Sequence, residues 1–130
     1  MVAPEQPGLL GLIARLAPIL VPGNTVVVLA SRSRPMPAIT LAEVLETSDV
    51  PPGVVNILTG ITADLVPWLS DHMDVNAVDA AGADPDLRRR IDEGSVHNIK
   101  RVVGGDPLAR SPYTIAAFTE TKTVWHPKGL

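Results

Sequence analysis

The stretch that decides the fold is Leu9–Ser31, LLGLIARLAPILVPGNTVVVLAS, in which a helical pattern passes through one sharp turn into a strand. Leu9, Leu10, Leu12, Ile13, Leu16, Ile19 and Leu20 recur at helical spacing and form a wide apolar stripe, with Arg15 expected on the other side. Pro22-Gly23-Asn24 ends the helix, glycine being cheap at the left-handed position that follows one. Thr25–Ala30 is β-branched and apolar at successive positions, as in a strand covered above and below by helices. This composition predicts an α/β fold built on a parallel sheet.

The same alternation continues downstream. A turn-rich loop, Ser31–Pro37, leads to a helix expected over Ile39–Thr47, where Thr40 and Glu43 fit a capping box. Asp49–Gly53 closes it, and Val54–Leu58 reads as a second strand. Thr62–His72 has helical spacing with Leu65, Val66, Trp68 and Leu69 expected inward, although Pro67 moves the expected start toward Asp64 or implies a kink. Val75–Ala80 is a third strand. Asp84 and Pro85 suit the N-cap and first position of a helix running to about Val96, and Ile99–Val103 is a fourth strand. Strand and helix in strict alternation predict a doubly wound parallel sheet of about four to five strands with right-handed crossovers.

Length and composition narrow the function classes. A chain of 130 residues is one domain that buries roughly two-thirds of its unfolded surface. A formal net charge of -3 gives no electrostatic footprint for nucleic acid or an anionic membrane, and Arg88-Arg89-Arg90 reads as a solvated helix face. The sequence has no cysteine, hence no disulfide framework, thiolate metal site or cysteine nucleophile. His72, His97 and His126 show no metal-ligand spacing, and no G-x-S-x-G elbow is present. The apolar run Leu9–Val21 is too short to span a bilayer and is interrupted by Arg15 and Pro18, and no cationic leader precedes it; a cytoplasmic protein is expected.

Two ungapped motifs carry a resemblance. Leu16–Arg32, LAPILVPGNTVVVLASR, is similar to the I-A-P-A-L-x-x-G-N-T-V-V-L-K-P-S-E of the aldehyde dehydrogenase superfamily. Leu41-Ala42-Glu43-Val44-Leu45 followed by Pro51–Gly60, PPGVVNILTG, resembles that family's L-A-E-L…P-P-G-V-x-N-V-x-x-G. Further matches are Val2–Leu10 with the strand end and P-W-N-F-P-L-L loop, and Ile99–Val103 with N-L-K-R-V-T. Tyr113–Trp125 looks like the family's C-terminal L-x-x-Y-T-x-x-K-T-V-W. The resemblance implies a Rossmann-like coenzyme-binding domain over residues 1–103, a linker over 104–112 and an oligomerisation tail over 113–130, with Ile115–Trp125 as a strand. The family's N-terminal region and catalytic domain are expected to be missing.

What the resemblance implies chemically is loss. The family's nucleophile is a cysteine and its base the glutamate of E-L-G-G; here there is no Cys, and Val102-Val103 runs directly into Gly104-Gly105. Gln6 stands where the family has the asparagine of the oxyanion hole. The lysine and glutamate that hold the adenosine ribose are Leu29 and Arg32, and the loss of charge-assisted hydrogen bonds of roughly 1.5–3 kcal/mol each weakens coenzyme binding by about 100-fold or more. Val78–Pro85 replaces the phosphate loop and sets Asp79 and Asp84 beside it, where they are expected to repel phosphate. No catalytic residue and no metal site are therefore assigned. Ser31, Arg32, Gly60 and Gly82 are the candidate, vestigial coenzyme-binding residues, with Arg32 suited to a 2′-phosphate. The expected role is a non-catalytic homologue that serves as a structural subunit, in a homo-oligomer that is most simply a dimer, or as partner of a full-length aldehyde dehydrogenase. No cofactor is expected. The alternatives are a module sensing NAD, NADP or another nucleotide, and part of an NAD(P)-dependent aldehyde dehydrogenase whose other domains lie elsewhere.

Overall fold

Apolar runs alternating with amphipathic segments fold into ten short elements in a computed structural model that describes residues 1–129. In chain order they are α1 (Gly8–Leu20), β1 (Val26–Leu29), α2 (Met36–Glu46), β2 (Val55–Leu58), α3 (Thr62–Asp71), β3 (Ala77–Asp79), α4 (Pro85–Ser95), a 3-10 turn (Val96–Asn98), β4 (Arg101–Val103) and α5 (Pro112–Ala116). All strand pairing is parallel. β1 lies against β2 in the register Val26 opposite Val55, and β3 against β4 with Ala77 opposite Arg101. The strands thus form two two-stranded sheets where one sheet of four to five strands was expected. Met1–Ala3 touches both: the Val2 N–H donates to the Asp79 carbonyl at 2.9 Å, and the Ala3 N–H to the Leu29 carbonyl at 2.9 Å.

Side-chain alternation along these strands divides the core in two. Met1, Ala3, Val26, Val28 and Ala30 pack with Leu12, Leu16 and Ile19 of α1 and Ala38 of α2. Val2, Leu29, Val78 and Ala80 pack on the other face with Val66 and Leu69 of α3 and Ile91 of α4. This is the two-sided cover that the unbroken apolar strands imply.

Several local expectations are corrected. α2 begins at Met36, because Pro35 and Pro37 favour the first turn, where a missing N–H costs nothing; Thr40 is therefore inside the helix and the Thr40/Glu43 capping box does not form. α3 begins at Thr62 despite Pro67, and the Ala63 carbonyl deprived of its donor by that proline lies 3.5 Å from Arg90 Nη1. Trp68 is exposed: Val66, Leu69 and Ser70 form the buried face of α3, and position 68 lies off it. Likewise Leu9, Leu10 and Ile13 are exposed, so the buried stripe of α1 is narrower than its apolar pattern. The fourth strand is only Arg101–Val103, since Ile99 takes a left-handed backbone at φ 56.

The tail differs most. In place of the expected strand over Ile115–Trp125, Ser111 caps a short helix, accepting from the Tyr113 N–H at 3.3 Å, with Pro112 at its first position. Residues 117–129 form neither helix nor strand. Phe118, inside the segment expected as a strand, is buried in the α1-side core, and its carbonyl accepts from Asn24 Nδ2 at 3.0 Å. A strand needs a neighbour to pair its backbone groups, and none lies beside residues 119–125 among the described residues. Leu130, the last residue of the expected tail, lies outside the described residues.

Candidate functional site

Parallel strands end at a common edge, and the turns leaving that edge are where α/β proteins collect ligand-binding groups. Ser31–Arg34 follows β1, Gly60 follows β2, and Gly82 follows β3. Glu5 follows the Met1–Ala3 segment that lies between the sheets.

Ser31 and Arg32 meet at this edge around Glu5. The Ser31 hydroxyl donates to Glu5 Oε2 at 2.7 Å, the Arg32 N–H to Oε1 at 2.9 Å and the Ser33 N–H to Oε2 at 3.1 Å; the Ser33 hydroxyl also donates to Oε2. The Arg34 N–H donates to Ser31 Oγ at 3.0 Å, which leaves the Ser31 proton free to point at Glu5. Loss of water contact works to raise the Glu5 pKa, but the hydrogen bonds from Ser33, Ser31 and the Arg32 and Ser33 amides outweigh it and bring it down to about 2. Glu5 is therefore a carboxylate across the neutral range. Sequence reading gave Glu5 no role: helical or strand periodicity does not reach a loop residue, and the one available signal was an acid just past a strand end facing a Ser-Arg-Ser loop.

Gly60 and Gly82 are not drawn into this cluster of hydrogen bonds. At Gly60 a Cβ would stand 3.3 Å from Leu65 Cδ1. At Gly82 it would lie 2.5 Å from the Val2 oxygen and the Ala3 carbonyl carbon. The absent side chain at Gly82 thus admits the protein's own backbone. Gly82→Ala is expected to cost about 1–3 kcal/mol through displacement of Val2–Ala3, seen as a lower urea midpoint; an unchanged midpoint contradicts the close approach.

The acids near the phosphate loop are also engaged. Asp84 caps α4, accepting from the Leu87 N–H at 2.8 Å, as its position before Pro85 implies. Asp79, expected to repel phosphate from the edge, points inward: it is 1 % exposed, accepts from the Ala81 N–H at 2.9 Å, and pairs with Arg15 Nε at 2.8 Å. Arg15, expected on the polar side of α1, is buried by this pairing. The partners are 64 residues apart in sequence, a separation that local pattern cannot bridge.

A cavity of about 630 Å³ is lined by residues of both sheets, among them Val26, Val27 and Ala77, together with Met1, Ile19, Leu69 and Phe118. The Met1 amine donates to the Val27 carbonyl, and burial lowers its pKa to about 6 against the attraction of Asp79. Among the described residues, no group of three or more His, Asp or Glu could hold a metal ion, and no helix is long and apolar enough to cross a membrane.

Comparison with known proteins matches residues 7–105 to the model of the aldehyde dehydrogenase family. Aldehyde dehydrogenase 9 of Polyandrocarpa misakiensis is 32% identical over 109 residues, which are 82% of this chain and 46% of that protein. Aldehyde dehydrogenase 1A1 of Equus caballus is 34% identical over 113 residues, 84% of this chain and 22% of the relative. The NADP/NAD-dependent aldehyde dehydrogenase PuuC of Escherichia coli is 32% identical over 88 residues, 68% of this chain and 18% of the relative. The chain spans less than half the length of each of these relatives.

Proposed function

The chain belongs to the aldehyde dehydrogenase family, and from that premise we propose that it acts as a non-catalytic structural or partner subunit. The observation that carries this reading is the sequence without a single cysteine. Thiolate attack on an aldehyde carbonyl, the family's chemistry, needs that residue. The engagement of Ser31 and Arg32 by Glu5 supports the companion reading that neither NAD nor NADP is a resident cofactor. On this reading the two short sheets and the Met1–Ala3 segment are one doubly wound, Rossmann-like sheet over residues 1–103, residues 104–112 are a linker, and residues 113–130 pair with a second copy or with a full-length aldehyde dehydrogenase, in the cytoplasm.

The purified chain is expected to form no NADH or NADPH from aldehydes above a heat-treated control, and to bind NAD with a dissociation constant no better than about millimolar by calorimetry. Aldehyde-dependent reduction of either coenzyme refutes the non-catalytic role. A second reading, part of an NAD(P)-dependent aldehyde dehydrogenase completed by other domains, is favoured by the limited span: the chain covers 46% of the first relative and 22% of the second. Activity that emerges only on mixing with the remaining domains would select it.

A further inference from the structure

We propose that the cavity between β1 and β3 is an acceptor slot for one extended strand, and that its occupant is the Thr121–Trp125 segment of a second copy of this chain. The proposal rests on the subunit reading and names the surface that receives the tail. Val2 lies opposite Leu29 in parallel register, so Met1–Ala3 pairs with β1 only as far back as Val28. Val26 and Val27 of β1 and Ala77 of β3 line the cavity together with Met1, which sets it in line with that segment.

Backbone alternation makes the slot specific for a peptide. On β1 the Val26 and Ala30 N–H groups donate to Val54 and Leu58, whereas the Leu29 N–H and C=O and the Val27 C=O bond to Met1–Ala3. On β3 the Asn76 C=O and Ala80 N–H bond to Arg101 and Val103, whereas the Asp79 C=O accepts from Val2. The same alternation turns the Thr25 C=O, Val27 N–H, Ala77 C=O and Asp79 N–H toward the cavity, which all four residues line. Neither ladder uses these groups. Two successive residues of a parallel strand satisfy all four, the first bonding to β1 and the second to β3, as Met1 and Val2 do two residues further along. A small apolar molecule seated there covers them unpaired, at the cost of lost hydrogen bonds.

Among the described residues, Thr121–Trp125 combines β-favouring side chains with no backbone pairing. In the single chain this tail lies outside the cavity: Asn24 Nδ2 and Arg101 Nη1 hold the carbonyls of Phe118 and Thr119, and Val124 and Trp125 beyond them are exposed. The tail of a second copy has no such tether. Reciprocal exchange of tails fills both slots and closes with two-fold symmetry.

The sequence has no cysteine, so a disulfide joins only introduced sites. Full chains carrying Ala77→Cys and Val124→Cys singly are mixed and oxidised mildly, and linked peptides are identified by mass; a link between positions 77 and 124 is then necessarily between two copies. It is expected to form about tenfold or more above the link to Arg89→Cys, on the exposed face of α4. Thr25→Cys carries the test if Ala77→Cys does not fold. A 77–124 link no more frequent than the 89–124 link overturns the proposal, as does one that forms only within a single chain carrying both substitutions. A dimer mass that depends on the tail without the 77–124 link removes this slot and leaves the subunit reading standing, whereas a monomeric chain removes both.

Discussion

Arg15→Met is expected to lower folding stability by about 3–5 kcal/mol, because it strands the Asp79 carboxylate in the core without its partner. Arg15 and Asp79 are 1 % exposed each, so water cannot replace the lost contact. The pair itself is not the source of the stability. Arg15 Nη2 has no hydrogen-bond partner among the described residues, which leaves part of the guanidinium desolvated and uncompensated. The double variant Arg15→Met/Asp79→Leu should therefore recover most of the loss, apolar replacement of both partners being often neutral or better. Urea unfolding of parent, single and double variants checks this. A single variant within about 1 kcal/mol of the parent, outside the range for breaking a buried pair, contradicts the burial of Asp79.

Phe118→Ala is expected to cost about 3–5 kcal/mol, the range for emptying an aromatic site in a core. Phe118 is 6 % exposed and packs with the α1-side cluster, while its backbone carbonyl is tied to Asn24, whose side-chain amide also donates to the Ile19 carbonyl at 3.0 Å. The ring also borders the cavity between the sheets, so its removal enlarges a void already present. The expected readout is a fall in the thermal midpoint together with loss of protection of Asn24. Stability equal to the parent would show that the segment after α5 does not dock.

These two residues mark where sequence reading stops. The order of helices and strands was legible because it rests on periodicity and on Gly/Pro punctuation, which act within a few residues: Pro22-Gly23-Asn24 ends α1 and Asp84-Pro85 starts α4 as read. The burial of Arg15 was not legible, since a cation among leucines looks like a polar face until a buried acid on β3 is known to meet it. Glu5 escaped for a related reason, its partners lying 26 to 28 residues away in another loop. In the tail, Thr, Val and Trp favour a strand only where a neighbouring strand accepts them, and in the single chain Ser111-Pro112 starts a helix locally without one. Of the four candidate site residues, Ser31 and Arg32 converge on Glu5, whereas the absent side chain of Gly82 serves contact within the fold.

The proposed subunit role is tested most directly by the mass in solution of the full chain and of a chain ending at Thr119, which keeps Phe118 in place and removes the exposed Val124 and Trp125. An unpaired β-prone segment with exposed apolar side chains favours pairing with another copy. Light scattering at tens of micromolar is expected to give twice the chain mass for the full protein and the monomer mass for the shortened one. A monomeric full chain that also fails to associate with a full-length aldehyde dehydrogenase, or a shortened chain that keeps the dimer mass, contradicts the account.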